Sequence, residues 1–102
     1  MTSAETITTL TFEQIITRYA EKVAVAADET PATDLDELIS QLEIASENLA
    51  GAGIDSDDVD AAATLLAEAR TSDGDEQQVL LNKAGRRLLN VSGFLDDYEL
   101  ML

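Results

Sequence analysis

Glu76 to Leu102 reads EQQVLLNKAGRRLLNVSGFLDDYELML, and within it Leu81, Ala84, Leu88, Val91, Leu95, Tyr98 and Leu102 recur at alternating spacings of three and four. Alternation of three and four is the mark of a helix with one apolar seam, and such a seam is stable only when other helices cover it. Gly93 interrupts the run, which predicts either a bend in one long helix or a separate short terminal helix, Phe94 to Leu100, packed back on the rest. Upstream, Thr71-Ser72-Asp73-Gly74-Asp75 is a loop with helix-start chemistry.

Toward the N-terminus, caps and apolar spacing predict three more helices. Asp55 as cap, Asp58 three residues on, and the apolar pair Ile54 and Val59 predict a start for the third helix, whose face is Val59, Ala62, Ala63, Leu66 and Ala69. Arg70 falls in its last turn, where a cation is favoured. The second helix is expected to begin at Thr33, with Asp34, Asp36 and Glu37 in its first turn and Leu35, Leu38, Ile39, Leu42, Ala45 and Leu49 as its buried stripe. Gly51-Ala52-Gly53 ends it, because glycine best accepts the left-handed angles that follow a helix. For the first helix, Thr11 and Gln14 form a capping box, Leu10 and Ile15 a hydrophobic staple, and Phe12, Ile15, Ile16, Tyr19, Ala20 and Val23 the apolar face. It fades near Asp28 to Thr30, ahead of Pro31. Residues 1–10 are Thr-rich without helical period and are read as a flexible arm; residues 11–102 are read as a single domain. Four helices joined by short loops predict an all-α protein, a small antiparallel four-helix bundle.

Composition bounds the chemistry. The chain has 102 residues, enough for one core. Thirty-one of them are Leu, Ile, Val, Met, Phe or Tyr and fifteen more are Ala, so that core can be filled. There is no cysteine and no histidine, which removes disulfides, thiolate chemistry, Cys/His metal sites and every Ser-His or Cys-His relay. No apolar run is long enough to cross a bilayer and the first residues lack a basic start, so the protein is expected to be soluble and cytoplasmic. No cofactor is implied, and the chain is not read as an enzyme.

Six Lys plus Arg stand against twenty-one Asp plus Glu, a net charge of -15, which disfavours direct attraction to nucleic acid or an anionic membrane. The charge is uneven: residues 1–54 carry -8, 55–76 carry -7, 77–92 carry +3 and 93–102 carry -3. The densest block holds the candidate partner-binding residues Asp55, Asp57, Asp58, Asp60, Asp73, Asp75 and Glu76. Capping needs only one or two acids at a helix start, so the excess suggests a surface field competing with nucleic acid for a basic groove. Lys83, Arg86 and Arg87 are the one basic cluster, and pairing with acidic neighbours accounts for them.

Carboxylates alone leave few catalytic options. An EF-hand loop from Asp55 would need glycine and glutamate where Asp60 and Leu66 stand, the di-iron bundles need histidine, and no Walker loop is present. Asp34-x-x-Glu37 and Asp55-x-x-Asp58, two acidic pairs on successive helices, resemble those of the all-α nucleotide pyrophosphohydrolases of the MazG type. That resemblance covers four positions and implies Mg²⁺-dependent hydrolysis. The family's acids project inward from helix interiors, whereas these lie in first turns, where capping already accounts for them.

The leading expectation is therefore a small acidic inhibitor that binds another protein as a nucleic-acid mimic. In size and acidity it is similar to phage-encoded anti-defence proteins, including those of anti-CRISPR type. The alternative is a salt-adapted helical subunit of a homo-oligomer, since few lysines and many acids also suit a high-salt cytoplasm. Phe94, Tyr98, Leu100, Met101 and Leu102 exceed what one short stripe needs; they close the monomer's own core, or form a homodimer seam or a docking site for a partner.

Overall fold

The computed structural model describes the backbone of residues 10–101 and the side chains of residues 10–91. Four helices follow in order: α1 Phe12–Ala27, α2 Leu35–Gly51, α3 Asp57–Arg70 and α4 Gly74–Met101. No strand occurs among the described residues. Each helix packs on two others, α1 on α2 and α4, α3 on α2 and α4, so the four form a closed ring around one core.

Local chemistry sets the boundaries. The Thr11 hydroxyl accepts from the Gln14 N–H at 3.1 Å while the Gln14 side chain accepts from the Thr11 N–H at 3.0 Å, the capping box the sequence predicts. At the other end of α1, Asp28 adopts left-handed angles with φ 59°. Its N–H donates to the Val25 carbonyl and the Glu29 N–H to the Ala24 carbonyl, closing a Schellman motif with an acid in glycine's usual place. α2 ends by the same device with glycine: Gly53 has φ 79°, its N–H reaches the Ala50 carbonyl and the Ile54 N–H the Leu49 carbonyl.

Three starts differ from expectation. The cap of α2 is Asp34, whose carboxylate accepts from the Glu37 N–H at 2.8 Å; Thr33, one residue earlier, instead donates both its N–H and its O–H to the Glu37 carboxylate. At α3, Ser56 occupies the cap position and Asp55 serves from outside the helix, accepting from the Asp57 N–H at 2.9 Å. An Asx turn therefore replaces the capping box there. α4 begins inside the expected loop, with Gly74 at φ 60° and the Gln77 N–H on the Asp73 carbonyl. α4 then continues through Gly93 to Met101 as one helix, so there is no separate terminal helix.

The buried faces follow the apolar spacing. Val59, Ala62, Ala63, Leu66 and Ala69 of α3 are all buried, as are Leu81, Ala84, Leu88 and Val91 of α4. On α2, Leu38, Ile39, Leu42, Ala45 and Leu49 are buried and Leu35 packs at the margin. Amide side chains complete the helix ends that the core encloses. Asn48 donates to the Ala26 carbonyl at 2.8 Å, Gln41 to the Thr30 carbonyl at 2.6 Å, and Gln77 to the carbonyls of both Ala69 and Ser72 at 2.9 Å. These carbonyls belong to helix ends and turns that lack a full set of intrahelical partners; that of Ala69 also accepts from the Ser72 N–H at 3.1 Å.

Two ion pairs fix orientation. Arg70, last in α3, meets Asp36, first turn of α2; Arg87 of α4 reaches Asp58, first turn of α3, at 2.8 Å. Successive helices from α2 to α4 are thus antiparallel. Leu10, read in the sequence as the end of the arm, is tied to α4: its carbonyl accepts from Gln78 at 3.3 Å and its side chain lies over Gly85. A Cβ on Gly85 would stand 2.6 Å from Leu10 Cδ1, so glycine here, mid-helix and buried, is what lets Leu10 approach. The rest of the arm lies outside the described residues.

Candidate functional site

The seven candidate carboxylates do not form one patch. Asp55, Asp57, Asp58 and Asp60 gather at the start of α3, while Asp73, Asp75 and Glu76 sit at the turn into α4. The fourteen residues of α3 separate the two groups, about 21 Å of helix. Their oxygens are also unequally available. Asp55 is held by the Asp57 amide, and Asp58, with 26% of its side chain exposed, is held by Arg87. Asp57, Asp60, Asp73, Asp75 and Glu76 are exposed, and among the described residues their carboxylates have no hydrogen-bond or ionic partner.

The fold adds acids that a count along the chain passes over. On α2, Glu43 and Glu47 are exposed on the side opposite Leu38, Leu42 and Leu49; on α3, Glu68 is exposed beside Thr64. Residues 34–73 hold eleven acids and one base, Arg70, a charge of -10 out of -15. The other five bases, Arg18, Lys22, Lys83, Arg86 and Arg87, all lie on α1 or α4. Because the helices close in a ring, α2 and α3 form one acidic wall and α4 and α1 carry nearly all the positive charge. Glu43 to Glu47 is a rise of about 6 Å and Asp57 to Asp60 about 4.5 Å, the same order as the 3.4 Å advance per phosphate along one DNA strand. The signal was present in the sequence: Ser40, Glu43 and Glu47 follow the helical period out of phase with the apolar stripe.

Of the basic cluster, Arg87 makes its expected pairing with an acid. Lys83 and Arg86 have no carboxylate partner among the described residues.

The acidic pairs proposed to resemble a Mg²⁺ site are held apart. Asp34 and Glu37 open α2 while Asp55 and Asp58 open α3, and the antiparallel packing puts these starts at opposite ends. All four are engaged, three in caps and turns and Asp58 with Arg87. Two hydrogen bonds from Thr33, first its backbone N–H and then its hydroxyl, hold the Glu37 carboxyl below its usual pKa, slight burial opposing. No ion can bridge the two pairs, and among the described residues no group of three or more acids is placed to hold a metal.

Phe94, Tyr98, Leu100, Met101 and Leu102 have side chains outside the described residues. Among the described residues no helix is long and apolar enough to cross a membrane. In comparisons with protein-family models, curated proteins and solved structures, the chain has no match.

Proposed function

We propose that the protein acts by binding another protein, presenting the acidic α2–α3 wall to a basic surface that otherwise holds nucleic acid. The observation that carries this reading is the sorting of charge by the fold: eleven acids against one base in residues 34–73, with five of the six bases on the other two helices. Such a field attracts a cationic groove over a Debye length of roughly 8 Å at physiological salt and weakens as salt rises. The contact residues are Glu43, Glu47, Asp57, Asp60 and Glu68, joined at the α3–α4 turn by Asp73, Asp75 and Glu76. Asp55 and Asp58 serve the local structure first.

The test uses the protein as bait in host extract, eluted by a salt gradient, beside a variant carrying Glu43→Gln, Glu47→Gln, Asp57→Asn, Asp60→Asn and Glu68→Gln. The reading expects nucleic-acid-binding proteins that elute late from the wild type and are lost from the variant. Retention of the same proteins by the variant, with its helical content unchanged, refutes it.

A second reading, adaptation to a salty solvent by a self-associating subunit, draws on the exposed acids of the remaining helices, Glu13 and Glu21 on α1 and Asp75 and Glu76 on α4. It predicts a chain that unfolds at low ionic strength and forms oligomers in molar salt. The mimicry reading expects a folded monomer in both, which circular dichroism and sedimentation distinguish.

A further inference from the structure

On the side away from the acidic wall, Leu10, Arg18, Tyr19, Asn82, Gly85, Arg86 and Leu89 line a groove of about 490 Å³ between α1 and α4. Arg18 of α1 and Arg86 of α4 both line it, and among the described residues no acid does. In a chain with twenty-one acids and six bases, paired arginines are the default outcome; Arg70 and Arg87 both follow it. Arg18 and Arg86 do not, having no carboxylate partner among the described residues. The stretch 77–92, which supplies most of the lining, contains no acid at all.

The remaining lining is mixed. Asn82 spends its carbonyl oxygen on Gln78 at 3.0 Å, which leaves its N–H₂ group as a donor. Leu10, Tyr19 and Leu89 are apolar or aromatic, and Leu89 is 65% exposed, the most exposed of the large hydrophobic side chains described. Gly85 keeps the floor low. Two permanently charged guanidinium groups and an amide donor beside an apolar rim match a dianion better than a single carboxylate. A phosphate monoester carries about -1.5 to -2 near neutral pH and offers its oxygens to forked guanidinium donors.

We infer that the α1/α4 groove is a binding site for a small phosphate monoester bearing an apolar group, with Arg18 and Arg86 on the phosphate and Leu10, Tyr19 and Leu89 against the apolar part. This site is separate from the acidic wall and does not depend on the role proposed for it.

The test titrates the whole chain with phenyl phosphate, and separately with inorganic phosphate, at constant ionic strength, following resonances by NMR. The inference expects saturating shifts centred on Arg18, Tyr19, Asn82, Gly85, Arg86 and Leu89, and tighter binding of phenyl phosphate than of inorganic phosphate. Arg18→Gln and Arg86→Gln, both at exposed positions, each weaken phenyl phosphate about fivefold or more, as loss of a charge-assisted contact requires. Leu89→Ser removes the preference for phenyl phosphate over inorganic phosphate. Shifts that fail to saturate, that spread equally to Lys22 and Lys83, or that survive both arginine substitutions overturn the site. Equal affinity for the two phosphates overturns the apolar half of the assignment.

Discussion

Asp28 holds left-handed angles at φ 59°, the only described residue other than glycine to do so, and it does so at the carboxyl end of a helix. Two penalties coincide there. A residue with a Cβ is strained in this region by about 1–2 kcal/mol, less for Asp and Asn. A negative charge in the last turn also opposes the helix dipole, by about 0.3–1 kcal/mol at an exposed site. Asp28→Gly removes both and adds unfolded-state freedom worth about 0.4–1 kcal/mol in the opposite direction. The net expectation is a gain of about 0.5–1 kcal/mol, which for a domain of this size raises Tm by about 2–8 °C. Asp28→Asn, which keeps tolerance of the left-handed region and loses the charge, gains less; Asp28→Ala, which loses that tolerance, falls below Asp28→Asn. Thermal unfolding followed at 222 nm at fixed ionic strength reads all three. If Asp28→Ala matches or exceeds Asp28→Gly, the Schellman assignment at the end of α1 is wrong.

Leu88 is fully buried in the seam of α4, and Leu88→Ala costs about 2–5 kcal/mol, a large part of the stability of a domain of this size; urea unfolding shows it as a lowered midpoint. Gly85→Ala gains about 1 kcal/mol of helix propensity only when Leu10 is shortened to Ala, because in the wild type the new methyl group meets Leu10; a double-mutant cycle that finds the two changes additive contradicts that contact. Glu37→Ala removes the acceptor for both Thr33 donors and lowers Tm at neutral pH. Because the Glu37 pKa is depressed in the folded state, the stability it adds is present above its unfolded pKa and is lost as pH falls through the folded one. The Tm difference between Glu37→Ala and wild type therefore narrows on acidification below the ordinary carboxylate range, and a constant gap across that range refutes the linkage.

The helices and their buried faces were legible because apolar spacing and cap chemistry act locally. Val59, Ala62, Ala63, Leu66 and Ala69 were marked by position alone, and Thr11 with Gln14 formed the box their types require. What the sequence hid depends on chain segments meeting across the fold. Asn48 on Ala26 and Leu10 on Gly85 join residues that no local window relates, and Asn48 and Gln77 read as ordinary solvent-facing polar groups until the carbonyls they reach are known. The acidic cluster shows the same limit in reverse. Asp55 to Glu76 is dense along the chain, yet α3 carries its two halves to opposite ends, while Glu43 and Glu47, distant in sequence, join the wall because α2 packs beside α3. At Gly93 helix continuity prevails over the local cost of one glycine, about 1 kcal/mol, which does not by itself force a break.

The most direct measurement is a displacement titration. A basic partner recovered by salt elution is loaded with a labelled oligonucleotide, and the protein is added at physiological ionic strength while fluorescence anisotropy is followed. The acidic wall predicts that wild type releases the oligonucleotide, that raising the salt suppresses its competing affinity, and that the five-fold neutralised variant of Glu43, Glu47, Asp57, Asp60 and Glu68 fails to compete. Release by that variant at the same concentration as wild type, with both chains folded, contradicts the account.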